Sequence, residues 1–200
     1  GFVIHGEAAM HSSGYSVSSA GDVNGDGLDD LIIGAHYVGM LAGRSYVIFG
    51  KTGNTAAVEL SDIAAGKGGF AIYGEAAMDY SGSSVSSAGD VNGDGLADLI
   101  IGANGADPHG KSGAGSSYVV YGREANYSGN SAIQLSQIEA GTGGFVIYGE
   151  VDYDQSGISV SSAGDVNGDG LADLIVGAYS AGFNGENSGS SYVVFGNKKI

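Results

Sequence analysis

The sequence predicts an all-β fold, a β-propeller, and three observations carry that expectation. One stretch, GDVNGDGLDDLIIGA at 21–35, returns almost unchanged as GDVNGDGLADLIIGA at 89–103 and GDVNGDGLADLIVGA at 164–178. Each copy sits in a unit of roughly 70 residues that carries four short strand-like runs parted by glycine-rich turns. Within a unit one run is made of small residues (VSSA) and another is continuously apolar (LII or LIV). That combination suits a blade that narrows toward an axis and is buried on both faces by its neighbours. A β-sandwich does not need such a long internal repeat, and the rungs of a parallel β-helix are much shorter.

In chain order, a strand is expected at 2–7 (FVIHGE), before the first full unit. The first unit, about 8–75, supplies strands at 15–20, 30–35, 44–50 and 70–75. The second, about 76–150, repeats them at 83–88, 98–103, 116–122 and 145–150; the third, about 151–200, has them at 158–163, 173–178 and 190–196. The third unit has no counterpart of the fourth strand, FAIYGE or FVIYGE, whereas 2–7 matches that strand and stands at the other end. One propeller or half-propeller domain over 1–200 is expected, its N-terminal strand displaced for ring closure. The connections 51–69 and 123–144 hold VELSDIAAG and IQLSQIEAG, read as helical turns packing leucine and isoleucine on the blade edge, on the same face as the repeated loops.

The repeated loop is read as a calcium site. Oxygen-bearing side chains fall at loop positions 1, 3, 5 and 9: Asp22, Asn24, Asp26, Asp30; Asp90, Asn92, Asp94, Asp98; Asp165, Asn167, Asp169, Asp173. Alternate residues of a tight turn aim inward, and the intervening glycines take the positive φ that wrapping a cation demands. Ca²⁺ takes six to eight hard oxygens, so four side chains, a carbonyl near Leu28, Leu96 or Leu171, and a water complete the set. Three Ca²⁺ per chain are expected. The lack of any cysteine in the chain and of histidine in the loops argues against zinc and copper. The last acid comes at position 9 rather than 12, and an apolar strand follows instead of a helix, which separates the loop from an EF-hand.

Composition narrows the function. A net charge of −15 argues against nucleic acid and anionic membrane surfaces, and no run approaches membrane-spanning length. The 39 glycines, against one proline at Pro108, indicate many tight turns, and zero cysteine removes disulfides and thiol catalysis. No signal peptide is seen, and a chain starting at Gly1 is expected to be a processed or trimmed product. Catalysis finds no support: no G-x-S-x-G context selects a serine, His11 and His109 lie in loops without partners, and His5 stands where the sister strands have Tyr73 and Tyr148.

The combination SSAGDVNGDGLxDLIxGA, then G-x-S-Y-V-x-F/Y-G, then GFxIxGE resembles the FG-GAP repeat of integrin-α-type propellers, most closely bacterial integrin-α-like proteins, over roughly 1–197. The resemblance implies Ca²⁺ in the loop between the first two strands on one face, and partner contacts on the opposite face. It also implies an extracellular or cell-surface setting. Integrin-type rings have about seven blades and propellers generally four or more; with three, the chain is expected either to be a piece of a longer protein or to pair as a homodimer closing a six-bladed ring.

On the face opposite the calcium loops, the loops between second and third strands vary most: HYVGMLAG, NGADPHGKSGAG and YSAGFNGENSG. His36, Tyr37, Met40, Tyr179 and Phe183, with Tyr80 and Tyr153 from the inter-unit connections, are the candidate contacts for a protein or glycan ligand. The bland alternative is that they cap the blade tops. The expected function is a non-catalytic, calcium-binding adhesion or interaction module; the alternatives are the propeller part of a polysaccharide-degrading enzyme and a structural surface-layer repeat.

Overall fold

The structure, a computed structural model, describes residues 1–53, 57–124 and 132–198. All twelve expected strands are present. In the first blade β2 (Ser16–Gly21), β3 (Asp30–Ala35), β4 (Arg44–Ile48) and β6 (Gly69–Tyr73) form an antiparallel meander. In the second, β7 (Ser84–Gly89), β8 (Asp98–Ala103), β9 (Ser116–Val120) and β11 (Gly144–Tyr148) do the same. The third holds β12 (Ser159–Gly164), β13 (Asp173–Ala178) and β14 (Ser190–Val194). The displaced strand β1 (Val3–His5) precedes them.

Blades stack because their middle strands are apolar on both sides. Along β3, Ile32 enters a core shared with Val85, Leu99, Ile101 and Tyr118 of the second blade, while its neighbour Ile33 faces a core with Tyr46, Leu60 and Ile63. Along β8, Ile100 meets Val160, Leu174 and Val176 of the third blade. Burying each such side chain contributes about 1.5–3 kcal/mol. The small-residue strands are the ones that come together between blades: Ser16 Oγ accepts from Val85 N–H at 3.0 Å and Ser84 Oγ from Val160 N–H at 3.1 Å. A larger residue would hold these strands apart.

The path between third and fourth strands differs from expectation. The helical turns are there, α1 (Leu60–Ala64) and α2 (Leu135–Glu139), but each is preceded by a short strand that the sequence reading missed, β5 (Ala57–Glu59) and β10 (Ile133–Gln134). β10 runs parallel to β6 of the preceding blade, pairing Ile133 with Ile72 and Gln134 with Tyr73. β5 pairs with β1 in the same way. The connection therefore leaves the loop face and climbs the outer edge of the neighbouring blade, because Ile133, Leu135 and Ile138 find their core there.

The two outer faces of the stack mirror its two internal interfaces. Val17 is 65% exposed, although its equivalents Val85 and Val160 are 4% and 6% exposed between blades. At the other end Val166 is 59% exposed, against 2% for Val91. The glycines of the second strands show the same step. A Cβ on Gly34 or Gly102 would overlap the carbonyl oxygen of Gly82 or Gly157, whereas the equivalent Gly177 meets only Ser159 of its own blade. Among the described residues β1 is hydrogen-bonded to β5 alone and β14 to β13 alone.

Candidate calcium loops and recognition face

Each loop begins at a bulge. The register of β2 against β3 slips between Ser19 and Gly21, where Gly21 has φ 70° and its N–H donates to Ser19 Oγ, and the chain turns out of the sheet into the loop. Within the first loop Gly25 and Gly27 take φ of 76° and 84°, the left-handed values that asparagine or aspartate would hold less easily. Asp22 accepts from the N–H groups of Gly25, Asp26 and Gly27; Asn24 Oδ1 accepts from Asp26 N–H, and Asp26 Oδ1 from Leu28 N–H. The second and third loops repeat this pattern bond for bond through Asp90, Asn92 and Asp94, with Leu96 as donor, and through Asp165, Asn167 and Asp169, with Leu171 as donor.

The acid at position 9 has a second task. Asp98 is completely buried; its Oδ2 accepts from Val91 N–H at 2.9 Å and its Oδ1 from Gly122 N–H at 2.8 Å, tying the loop to the end of the third strand. Asp30 bonds Val23 and Gly50, and Asp173 bonds Val166 and Gly196, in the same manner. Burial pushes the Asp98 carboxyl up to about 7, its two N–H donors pull the other way, and the negative charges of Asp94 and Asp90 push it further up. Asp30 is raised by burial, with Asp26 and Asp22 adding to it. In the first and second loops the carboxylates at positions 1, 5 and 9 thus lie close enough to repel one another. In this loop conformation they turn to backbone N–H groups, and among the described residues no three acidic, imidazole or thiol groups already form a metal cluster. The donor set is nonetheless all hard oxygen on a glycine-flanked turn, which fits Ca²⁺.

The opposite face is built by the loops after β3, β8 and β13 together with the inter-blade connections. Among the described residues ten non-glycine residues have positive φ, and all ten lie there: Met10, Ser12, Met40, Leu41, Met78, Tyr80, His109, Tyr153, Gln155 and Asn187. A short ladder of N–H groups on one connection and carbonyls on the loop holds several of them: Met78 to Met40, Tyr80 to Leu41, and in the next blade Tyr153 to Ser112 and Gln155 to Gly113. Strain of this kind persists only where surrounding bonds fix it.

The candidate contact residues divide. Met40, Phe183, Tyr153 and Tyr179 are exposed, Met40 and Phe183 at 83% and 88%. His36 is buried, stacked at 4.0 Å on Tyr15 and 4.1 Å on Tyr37, with Tyr80 at 6.3 Å. Burial lowers its pKa. Tyr37, itself exposed at 48%, and Tyr80 therefore belong to one aromatic cluster with His36 at their centre. The structure does not bring Tyr153, Tyr179 and Phe183 into this cluster.

The sequence reading passed over a group on the flank of this face. A cavity of about 220 Å³ is lined by residues that include Glu75, Asp79, Asp107, Tyr118, Glu139 and Tyr148. His109, taken from the sequence as lacking a partner, lies 4.6 Å from the Tyr148 ring. Burial pushes Asp79 up to about 6; the Ala76 N–H lowers it, and the charges of Glu75 and Asp107 raise it. A carboxyl whose folded pKa lies above its unfolded value binds its proton more tightly in the folded protein, so stability falls as pH rises from about 4 through about 6. Asp79→Asn keeps an oxygen for Ala76 N–H and removes that cost. Urea unfolding at pH 7.5 should show the variant more stable by on the order of 1 kcal/mol, with no difference at pH 4. Equal stability at both values would mean that Asp79 stays ionised without penalty.

Stacked antiparallel blades, each with an acidic loop launched from a bulge, define a β-propeller protein. The chain belongs to the FG-GAP repeat family, whose pattern matches residues 13–56, 81–120 and 156–194. It is 32% identical over 196 residues to integrin alpha pat-2 of Caenorhabditis elegans, covering 92% of this chain and 14% of that protein. It is 33% identical over 188 residues to integrin alpha-IIb of Mus musculus, covering 89% and 16%. A phosphatidylinositol-glycan-specific phospholipase D of Dictyostelium discoideum is 28% identical over 209 residues, covering 98% and 21%. The chain thus spans a small part of the length of these relatives. FG-GAP repeats shared with integrin alpha chains indicate an adhesion or interaction module. Among the described residues no helix is long and apolar enough to cross a membrane.

Proposed function

We propose that the chain is a calcium-binding, non-catalytic adhesion or interaction module of the cell exterior or cell surface, which recognises a protein or glycan through the face opposite its calcium loops. The observation that carries this reading is the threefold loop, in which oxygen-bearing side chains recur at the same four positions with one hydrogen-bond pattern in every blade. Ca²⁺ would be held by Asp22, Asn24, Asp26, the Leu28 carbonyl and Asp30, and by the equivalent sets at 90–98 and 165–173. The ion supplies charge neutralisation and a fixed loop; recognition is left to the face where positive-φ residues cluster. Calorimetric titration of chelated protein should give three Ca²⁺ per chain. A stoichiometry of zero would overturn the metal assignment, and turnover of a glycan by the purified chain would overturn the non-catalytic one.

The partner that completes the frame is a second copy. The exposed faces of the first and third blades are the two halves of an interface that the molecule already makes twice internally, between Val85 and Val91 neighbours that are almost fully buried. Two chains placed head to tail about a twofold axis bury both faces at once and close six blades. β1 of each would then take the outer place beside β14 of the other. Light scattering should report twice the chain mass of 19.8 kDa. Gly177→Ala should return the particle to one chain without unfolding it, because a Cβ there is free in the single chain but would strike the incoming blade, as at Gly102. A wild-type monomer would remove the ring proposal.

A further inference from the structure

The first blade holds a guanidinium of its own in the place where the second blade has a cavity. Arg44 Nη1 donates to the Glu7 carboxylate, stands 3.5 Å from the Tyr46 hydroxyl, and its Cζ lies 4.2 Å from the centre of the Tyr73 ring. The Tyr46 hydroxyl donates to the same Glu7 oxygen at 2.5 Å. One blade on, the frame recurs in register: Arg44 lies across from Tyr73 on the outer strand as Ser116 lies across from Tyr148, and Tyr118 donates to Glu75 Oε2 at 3.0 Å as Tyr46 does to Glu7. The arginine is replaced by a residue that cannot reach, and a cavity remains beside Glu75, Tyr118 and Tyr148, with His109 against the Tyr148 ring at 4.6 Å.

Two further exchanges between the repeats change the charge in the same direction. Ala64 of the first blade corresponds to Glu139 of the second, and His11 to Asp79. The pocket of the second blade therefore gains two carboxylates where it loses a cation, and no lysine or arginine is among its lining residues. A planar cation entering it would find a carboxylate held by a tyrosine hydroxyl, an aromatic face, and further acids at the rim. That is the set of partners Arg44 has, with more negative charge around it.

We propose that this cavity on the outer flank between the first and second blades binds a guanidinium group, the side chain of an arginine on a protein partner. Guanidinium is favoured over ammonium because its plane can stack on Tyr148 while its fork meets Glu75, as Arg44 does with Tyr73 and Glu7. The inference deepens the interaction role by naming what the partner presents, and it does not depend on the calcium assignment.

The test uses Nα-acetyl-arginine amide titrated into the calcium-loaded chain, followed by calorimetry and by the NMR signals of Tyr118 and Tyr148. The expected result is one saturable site with a Kd on the order of 1 mM, as befits a ligand of this size. The citrulline analogue, which has the shape without the charge, should not bind, and the lysine analogue should bind several-fold more weakly. Ser116→Arg should abolish binding by filling the cavity with the chain's own side chain. Glu139→Gln, at an exposed position, should weaken binding several-fold with an unchanged melt. No saturable binding, or equal binding of arginine and citrulline analogues, overturns the proposal. Either outcome leaves calcium stoichiometry and native mass as they were, so this inference would fall alone.

Discussion

Chelation of Ca²⁺ by EDTA is expected to lower the melting temperature of the protein by roughly 15–30 °C. A site filled at about one hundred times its dissociation constant stabilises the folded chain by about 2.7 kcal/mol, so three contribute about 8 kcal/mol. For a domain of this size each kcal/mol moves the melt by about 2–4 °C. The unfolded chain has no comparable site, because the positive φ of the intervening glycines, which keeps positions 1, 3, 5 and 9 within one turn, is not fixed there. Excess Ca²⁺ should restore the melt. Mg²⁺ should restore little of it, since that ion demands a tighter octahedral site and gives up water reluctantly. Calorimetric scans in both buffers decide the matter, and coincident melts would leave the loops as ordinary turns.

Asp98→Ala should destabilise the protein by about 3 kcal/mol even in EDTA, unlike Asp94→Ala. Both remove a proposed ligand, but Asp98 is buried and satisfies the Val91 and Gly122 N–H groups, while Asp94 is exposed. Truncation orphans two buried donors at about 1–3 kcal/mol each; relief of the charge that burial makes costly offsets a part. Urea titrations in EDTA separate the two tasks. The Asp94 variant should match wild type there and lose stability only when Ca²⁺ is present. Equal losses for both variants in EDTA would deny Asp98 its separate role in joining loop to strand.

The blades and their loops were legible because they are repeated. A single Asp-Gly turn is ambiguous, but three in register also carry the strands on either side, and every expected strand is found. The straps β5 and β10 were hidden, being two or three residues long and running directly into helical turns whose leucines and isoleucines dominate the local pattern. His36 looked like a contact residue because its loop is variable and aromatic. Its burial depends on Tyr15, twenty-one residues earlier on a neighbouring segment, and no local periodicity shows that. The flank cavity did leave a trace. Aligning the repeats puts Arg44 against Ser116 and Ala64 against Glu139, two differences inside otherwise similar strands and turns. What the alignment does not show is that β10 carries α2 back onto the preceding blade, which sets Glu139 near Glu75.

The acidic loops are joined in series. The Asp22 carbonyl of the first accepts from Ala97 N–H in the second at 3.0 Å, the Asp90 carbonyl of the second accepts from Ala172 N–H in the third at 3.0 Å, and Val23 and Val91 carbonyls reach Arg123 and Asn197 in the same direction. An ion that fixes one loop also fixes the backbone acceptor on which the next loop leans. Occupancy at one position thus lowers the ordering cost at its neighbour, and filling should show nearest-neighbour cooperativity like that of a linear lattice. Within one chain the middle loop, touched from both sides, is the one whose loss uncouples the other two.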